Sequence, residues 1–308
     1  MDVDQRTSRL KSFLFFCFIS AFCLGQQSPP FLENDTSKKK EYEFLRQEIL
    51  MTKGSALEKI EQRIHLASVY KEQKDVLTAL EEKRVLDGET AGLYYLIAGT
   101  NGIIALQLSR FFSIPYVRAM LENFDKSIAL DPTFTPSYEA YVEALCMVPA
   151  LLGGDVNKAK RLATALVKLS PFEGYFAQGY IAESQALKDL AVVKYIQAFN
   201  SLLKVDFCNV DLDVFFSTKS MNLPYKIAEL SVQYDLASAI GLCSIDYFID
   251  RQSALYNLPL EWAYFRKAQL HKKIDQTEKA YQSISQALEI NPNFTLAKQF
   301  KQTHWSKI

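Results

Sequence analysis

The stretch that decides the fold is EWAYFRKAQLHKKIDQTEKAYQSISQALEINP, residues 261–292. Its second half places Ala280, Ile284, Ala287 and Leu288 on one face of a helix of 3.6 residues per turn. Pro292 then closes it, because the proline ring and missing N–H oppose further helix. A lone helix cannot bury such a stripe, so the pattern requires packed neighbours.

Working outward, the same pattern recurs. Val117, Met120, Leu121, Phe124 and Ile128 form one stripe, and Ala159, Leu162, Ala163, Leu166 and Leu169 another. IALDP stops at Pro132 and VKLSP at Pro171, 39 residues on; a degenerate LKVDF ends at Phe207 after 36 more. Almost nothing alternates like a strand. A period in the thirties, built from two helices and a proline stop, predicts a helical solenoid.

Residues 261–292 resemble the tetratricopeptide repeat. Tyr264 stands at its first aromatic position, Ala268 at the small one, Ala280 and Ala287 at the alanine positions, Ile284 between them and Pro292 at the end. Two positions depart from the pattern: His271 replaces the second aromatic and Lys267 a leucine. The block 138–171 keeps Tyr138, Ala159 and Pro171; the block ending at Pro132 keeps Phe124 but has Ser127 for the second alanine. The resemblance implies an all-α, right-handed superhelical solenoid of helical hairpins, with 11 to 13 helices expected. It also implies that first helices line a concave face, which makes Tyr141, Tyr180, Trp262 and Phe265 the expected partner-binding residues. Other aromatic clusters, LYYL (93–96), RFF (110–112) and the rest of EGYFAQGY (173–180), are expected to be mostly core.

VPALLGGD (148–155) interrupts one hairpin. Its glycines invite a phosphate-loop reading, but that motif needs GxxxxGK and then Ser or Thr, and Asp155 would repel a phosphate. The stretch is expected to be a turn, with Asp155 capping the next helix. This insertion also resembles one in exported bacterial repeat proteins, including the helical subunit associated with TRAP-type solute transporters.

The N-terminal 25 residues have another character. Arg6, Arg9 and Lys11 precede the apolar run 13–24 and then Gly25, the pattern of a secretory signal peptide. The run is shorter than the ~20 residues a bilayer span needs. Phe22 stands where lipoprotein signals carry a small residue, which argues against lipidation of Cys23. The expected organisation is leader 1–25, linker 26–37 and array 38–308, with an irregular segment at 208–224 and a capping helix at 295–307. The chain is therefore expected to be exported, periplasmic or secreted, without membrane insertion after leader cleavage.

Lys plus Arg and Asp plus Glu are equal at 35 each, so overall charge gives no reason to expect nucleic acid or an anionic membrane as partner. Beyond the leader, Cys146, Cys208 and Cys243 allow one disulfide at most and are expected to be small buried apolar residues. Asp211 and Asp213 lack the glycine and glutamate of a calcium loop. Three histidines without ligand spacing, and no HExxH, CxxC or GxSxG, give no basis for a metal, a cofactor or an enzyme. Carboxylate pairs such as Glu81 and Glu82 read as solvated. The sequence points to a non-enzymatic extracytoplasmic scaffold binding a protein or peptide, as a component of the cell envelope. The alternative is a transporter accessory subunit that holds a small solute or docks a solute-binding protein.

Overall fold

The computed structural model describes residues 38–217, 219, 222–251 and 258–305. The expected leader and linker lie outside these residues, as do positions 306 and 307 of the expected capping helix. The described residues form fifteen α-helices and no strand, more helices than the 11 to 13 expected. In chain order they are α1 (Lys39–Met51), α2 (Ala56–Val69), α3 (Gln73–Asp87), α4 (Ala91–Gln107), α5 (Arg110–Leu130), α6 (Thr135–Met147), α7 (Val156–Leu169) and α8 (Pro171–Ser184). Then follow α9 (Lys188–Lys204), α10 (Leu212–Phe216), α11 (Leu223–Tyr234), α12 (Ser238–Asp250), α13 (Leu260–Lys273), α14 (Thr277–Ile290) and α15 (Thr295–Trp305). The chain is an all-α solenoid of helical hairpins.

Local chemistry sets the boundaries. Ser55 and Glu58 form a reciprocal capping box at the start of α2, and Thr90 caps α4 by accepting from the Leu93 amide. Asp155 caps α7, its Oδ1 accepting from the Lys158 amide at 2.9 Å. Four hairpins turn through a residue in the left-handed conformation: Lys71 between α2 and α3, Ala186 between α8 and α9, Asp235 and Ala237 between α11 and α12, and Asp275 between α13 and α14. One short turn geometry thus recurs on different residues, which is what a repeat architecture demands.

Two hairpins differ: α4–α5 turns through extended Leu108 and Ser109, and VPALLGGD lengthens the turn of α6–α7. Ala150–Leu152 form a 3₁₀ turn and Gly153 takes φ +105°. A Cβ on Gly154 would lie 1.7 Å from the Val148 carbonyl oxygen, so only glycine fits there. The close approach of α8 to α7 depends on Gly174 in the same way, with the Val167 backbone nitrogen 2.2 Å from where a Cβ would stand.

The first helices of successive hairpins pack side by side, α4 on α6, α6 on α8 and α11 on α13, while each second helix packs on its own partner and on the first helix of the next hairpin. The first helices thus make the inner layer and the second helices the outer one. Alanines at closest approach let the layers touch: Ala159 and Ala163 of α7, Ala268 of α13, and Ala280 and Ala287 of α14 are fully buried.

Between α9 and α11 the chain leaves the repeat. Asp206, at φ +51°, turns it back over α12, where Phe207 and Phe216 bury against Phe215 and Tyr247. Cys208 is bonded to Cys243 of α12, with Cα atoms 5.8 Å apart. This corrects the expectation of buried apolar cysteines: Cys208 is exposed and Cys243 half-buried, and the pairing depends on a reversal of direction that no local pattern announces. Asp211 caps α10, and Asp213 pairs with Arg251 and accepts from Tyr247, so both acids have structural partners.

Candidate functional site

The four aromatic residues expected on the partner face are all in the core, between 2% and 7% exposed. The Tyr141 ring stacks on Phe124 at 5.5 Å; its hydroxyl donates to Asp125 at 2.8 Å and accepts from Lys158 at 2.7 Å. Burial, and then Asp125, raise its pKa. Tyr180 belongs to the same apolar cluster. Trp262 and Phe265 form a separate cluster with Phe294, at ring distances of 4.8 and 5.3 Å, and Phe300 covers Phe265 from α15. Each ring is therefore enclosed by a neighbouring element, and the structure joins these residues as two pairs.

A row of buried ions occupies the inner layer instead. Glu139 and Glu143 stand four residues apart on α6, and the Lys226 ammonium reaches both from α11, at 3.4 Å from Glu139 and closer still to Glu143. On α8, Glu173 receives Lys219 at 2.8 Å and the Thr135 hydroxyl at 3.0 Å. At the far end of α8, Glu183 accepts from Tyr195 at 2.8 Å and from Tyr234 and Gln233 of α11. Farther along, Glu229 of α11 pairs with Arg266 of α13 at 2.6 Å, with both side chains 1% exposed. Arg266 also donates to Gln269 and lies over the faces of Trp262 and Phe265.

The row links helices that the sequence keeps far apart; the Lys226–Glu139 contact spans 87 positions. It contains five carboxylates and three cations, so its excess is acidic. Burial pushes the Glu139 carboxyl above its ordinary range, with Lys226 opposing, and pushes Glu143 up to about 7. One oxygen of Glu139 and one of Glu229 are buried without a hydrogen-bond partner, so the row holds acceptor capacity that its own cations leave unused.

The sequence carried a signal for this. Helices α6 and α8 each contain two glutamates and no lysine or arginine, among large apolar residues. Solvated helix faces mix charges, whereas acids alone on an otherwise apolar helix require cations from elsewhere in the fold.

The two departures from the repeat pattern, Lys267 and His271, line a cleft of about 580 Å³ together with Lys279, Gln282 and Gln286 of α14. His271 is nearly buried and bonds Gln276; burial is the main cause lowering its pKa. Among the described residues, no group of three or more His, Cys, Asp and Glu is arranged to hold a metal ion, and no helix is long and apolar enough to cross a membrane.

Comparison with known proteins bears on this architecture. No curated protein matches the sequence. Among solved structures, the crystal structure of MamA is similar over 57% of this chain and 99% of its own, at 18% identity and a TM-score of 0.39. The tetratricopeptide repeat family model matches residues 263–294, the α13–α14 hairpin whose first helix supplies Arg266 to the buried row.

Proposed function

We propose that the chain is a non-enzymatic, extracytoplasmic scaffold that holds a protein or peptide segment against its inner helix layer. The observation that carries this reading is the acidic excess of the row on the first helices, five carboxylates against three cations. These acids are 0% to 7% exposed, so the row lies just beneath the inner surface, where its field favours a segment rich in lysine or arginine. Trp262 and Phe265 pack against the Arg266 guanidinium of the row, while Tyr141 and Tyr180 belong to the core cluster beside it. The tetratricopeptide hairpin at 263–294 favours a protein partner. The leader pattern of residues 1–25 supports export, and the Cys208–Cys243 pairing suits an oxidising compartment.

The same lining supports a second reading, an accessory subunit of a transporter. Buried carboxylates with spare acceptors also suit a small solute bearing donor groups.

Purification of a C-terminally tagged chain from cross-linked, thiol-blocked cells tests the proposal. The expected result is a mature N-terminus near residue 26, Cys208 and Cys243 oxidised, and one envelope protein captured in stoichiometric amount. A captured permease or solute-binding protein selects the second reading. Reduced cysteines with an intact N-terminus overturn the extracytoplasmic assignment.

A further inference from the structure

The equal totals of acid and base conceal one stretch without any acid. From Thr90 to Leu121 the sole charged residues are Arg110 and Arg118, both positive. This stretch is most of the α4–α5 hairpin, the longest among the described residues at 17 and 21 residues, against 13 and 14 for α6 and α7.

Its register against its neighbours is fixed at the other end. The Ser127 hydroxyl of α5 meets both the Ala91 carbonyl of α4 and Ser137 of α6. Counting back from Ser127 along α5 and forward from Ser137 along antiparallel α6, Met147 at the end of α6 lies level with the region of Val117. The first two turns of α5 therefore project past α6, by roughly 10 Å at 1.5 Å per residue.

That projection carries Phe111 and Phe112, 82% and 71% exposed, beside Leu108 at the turn. This departs from the expectation that the RFF cluster belongs mostly to the core. Consecutive helical residues point about 100° apart, so the two rings present apolar surface on more than one side of the tip. A medium that surrounds the tip satisfies both at once.

We propose that the tip of the α4–α5 hairpin is a peripheral membrane-contact element, and that its occupant is the surface of a bilayer containing anionic phospholipid. The two phenylalanines enter the headgroup–acyl boundary, and the acid-free flank with exposed Arg118 faces the phosphates. No spanning helix is required. The contact would hold the inner helix layer at a fixed height above a membrane, with its face open to a partner at that surface. Two aromatic rings alone give weak, reversible attachment, so the element orients the chain rather than anchoring it permanently.

The test is partition of the full chain onto phosphatidylcholine vesicles with and without phosphatidylglycerol, beside F111S/F112S and R118Q. Residues 1–37 are common to all three chains, so differences among them report the tip. F111S/F112S is expected to lose about tenfold or more in partition without a change in thermal midpoint, since both rings are already exposed. R118Q should lose about fivefold on the anionic vesicles and little on the neutral ones. Hydrogen exchange at residues 106–116 should slow when vesicles are added. Equal partition of F111S/F112S and the parent chain overturns the proposal. So does self-association that the double variant abolishes while vesicles leave exchange at the tip unchanged, since the tip would then be a contact between copies of the chain.

Discussion

Arg266→Ala should destabilise the chain by about 4 kcal/mol, the largest loss expected for any single side chain in the inner layer. The reason is the group left behind. Glu229 is completely buried, and without its partner it must hold an uncompensated charge or take a proton that burial already favours. Truncation also removes the guanidinium from the faces of Trp262 and Phe265. Arg266→Lys should recover only part of the loss, because an ammonium lacks the fork that bonds Glu229 and Gln269 together. Replacing both partners by apolar residues, as in R266M/E229M, should return stability to within about 1–2 kcal/mol of the parent chain, since the desolvation of both charges is then avoided. Urea unfolding of the four proteins checks the series. In an array stabilised by neighbour contacts, the loss should appear first as faster hydrogen exchange in α13, α14 and α15, with α6 and α7 little changed.

The second large effect is one of pH. Glu143 titrates at about 7 in the folded chain, against an ordinary value of 4.5. An acid whose pKa rises on folding holds its proton more tightly when folded, so protonation favours the folded state. That contribution is complete below pH 4.5 and is lost as pH rises through 7. At 1.36 kcal/mol per pKa unit it amounts to about 3 kcal/mol across the window, and Glu139, raised in the same direction, adds to it. His271 acts oppositely, because its lowered pKa favours folding as pH rises. The effect is therefore read as a difference between parent chain and Glu143→Gln. The variant should lack most of the decline between pH 5 and 8 and be the more stable of the two at pH 8. Parallel stability curves for the two proteins would contradict the assignment of Glu143.

The parts of this structure that were legible in the sequence are those governed by local chemistry. The stripe Ala280–Ile284–Ala287, the proline stops and the alanines of close approach specify hairpins, and the hairpins are there. Asp155 could be assigned as a cap because an acid before a helical run has few other uses, and the pair Gly153–Gly154 as a turn for a similar reason. What was not legible depends on encounters between distant segments. Glu139 and Glu143, acids alone on an apolar helix, call for a cation, but nothing local names Lys226 from five helices later. Cys208 meets Cys243 only because Asp206 reverses the chain.

The aromatic assignments show a different limit. The position of Trp262 on a first helix says which way its ring points, but not that Phe294 from the following turn closes over it. Tyr141 is likewise covered by Phe124 and Lys158 from second helices on either side. Phe111 and Phe112 are the reverse case. Their sequence reads as core, and the length of their hairpin leaves them exposed among the described residues.

Partners that engage the inner layer of first helices should be captured by position-specific photocrosslinking in intact cells. A crosslinking amino acid would be placed at Gln233 or Gln269, half-buried beside the acidic row, and in separate chains at Gln282 or Gln286 on α14 of the outer layer. The predicted result is one envelope protein captured from the inner positions and absent from the outer ones, with capture reduced when Glu229 is replaced by glutamine. Capture of that protein from the outer positions alone would contradict the account and place the binding face on the second helices.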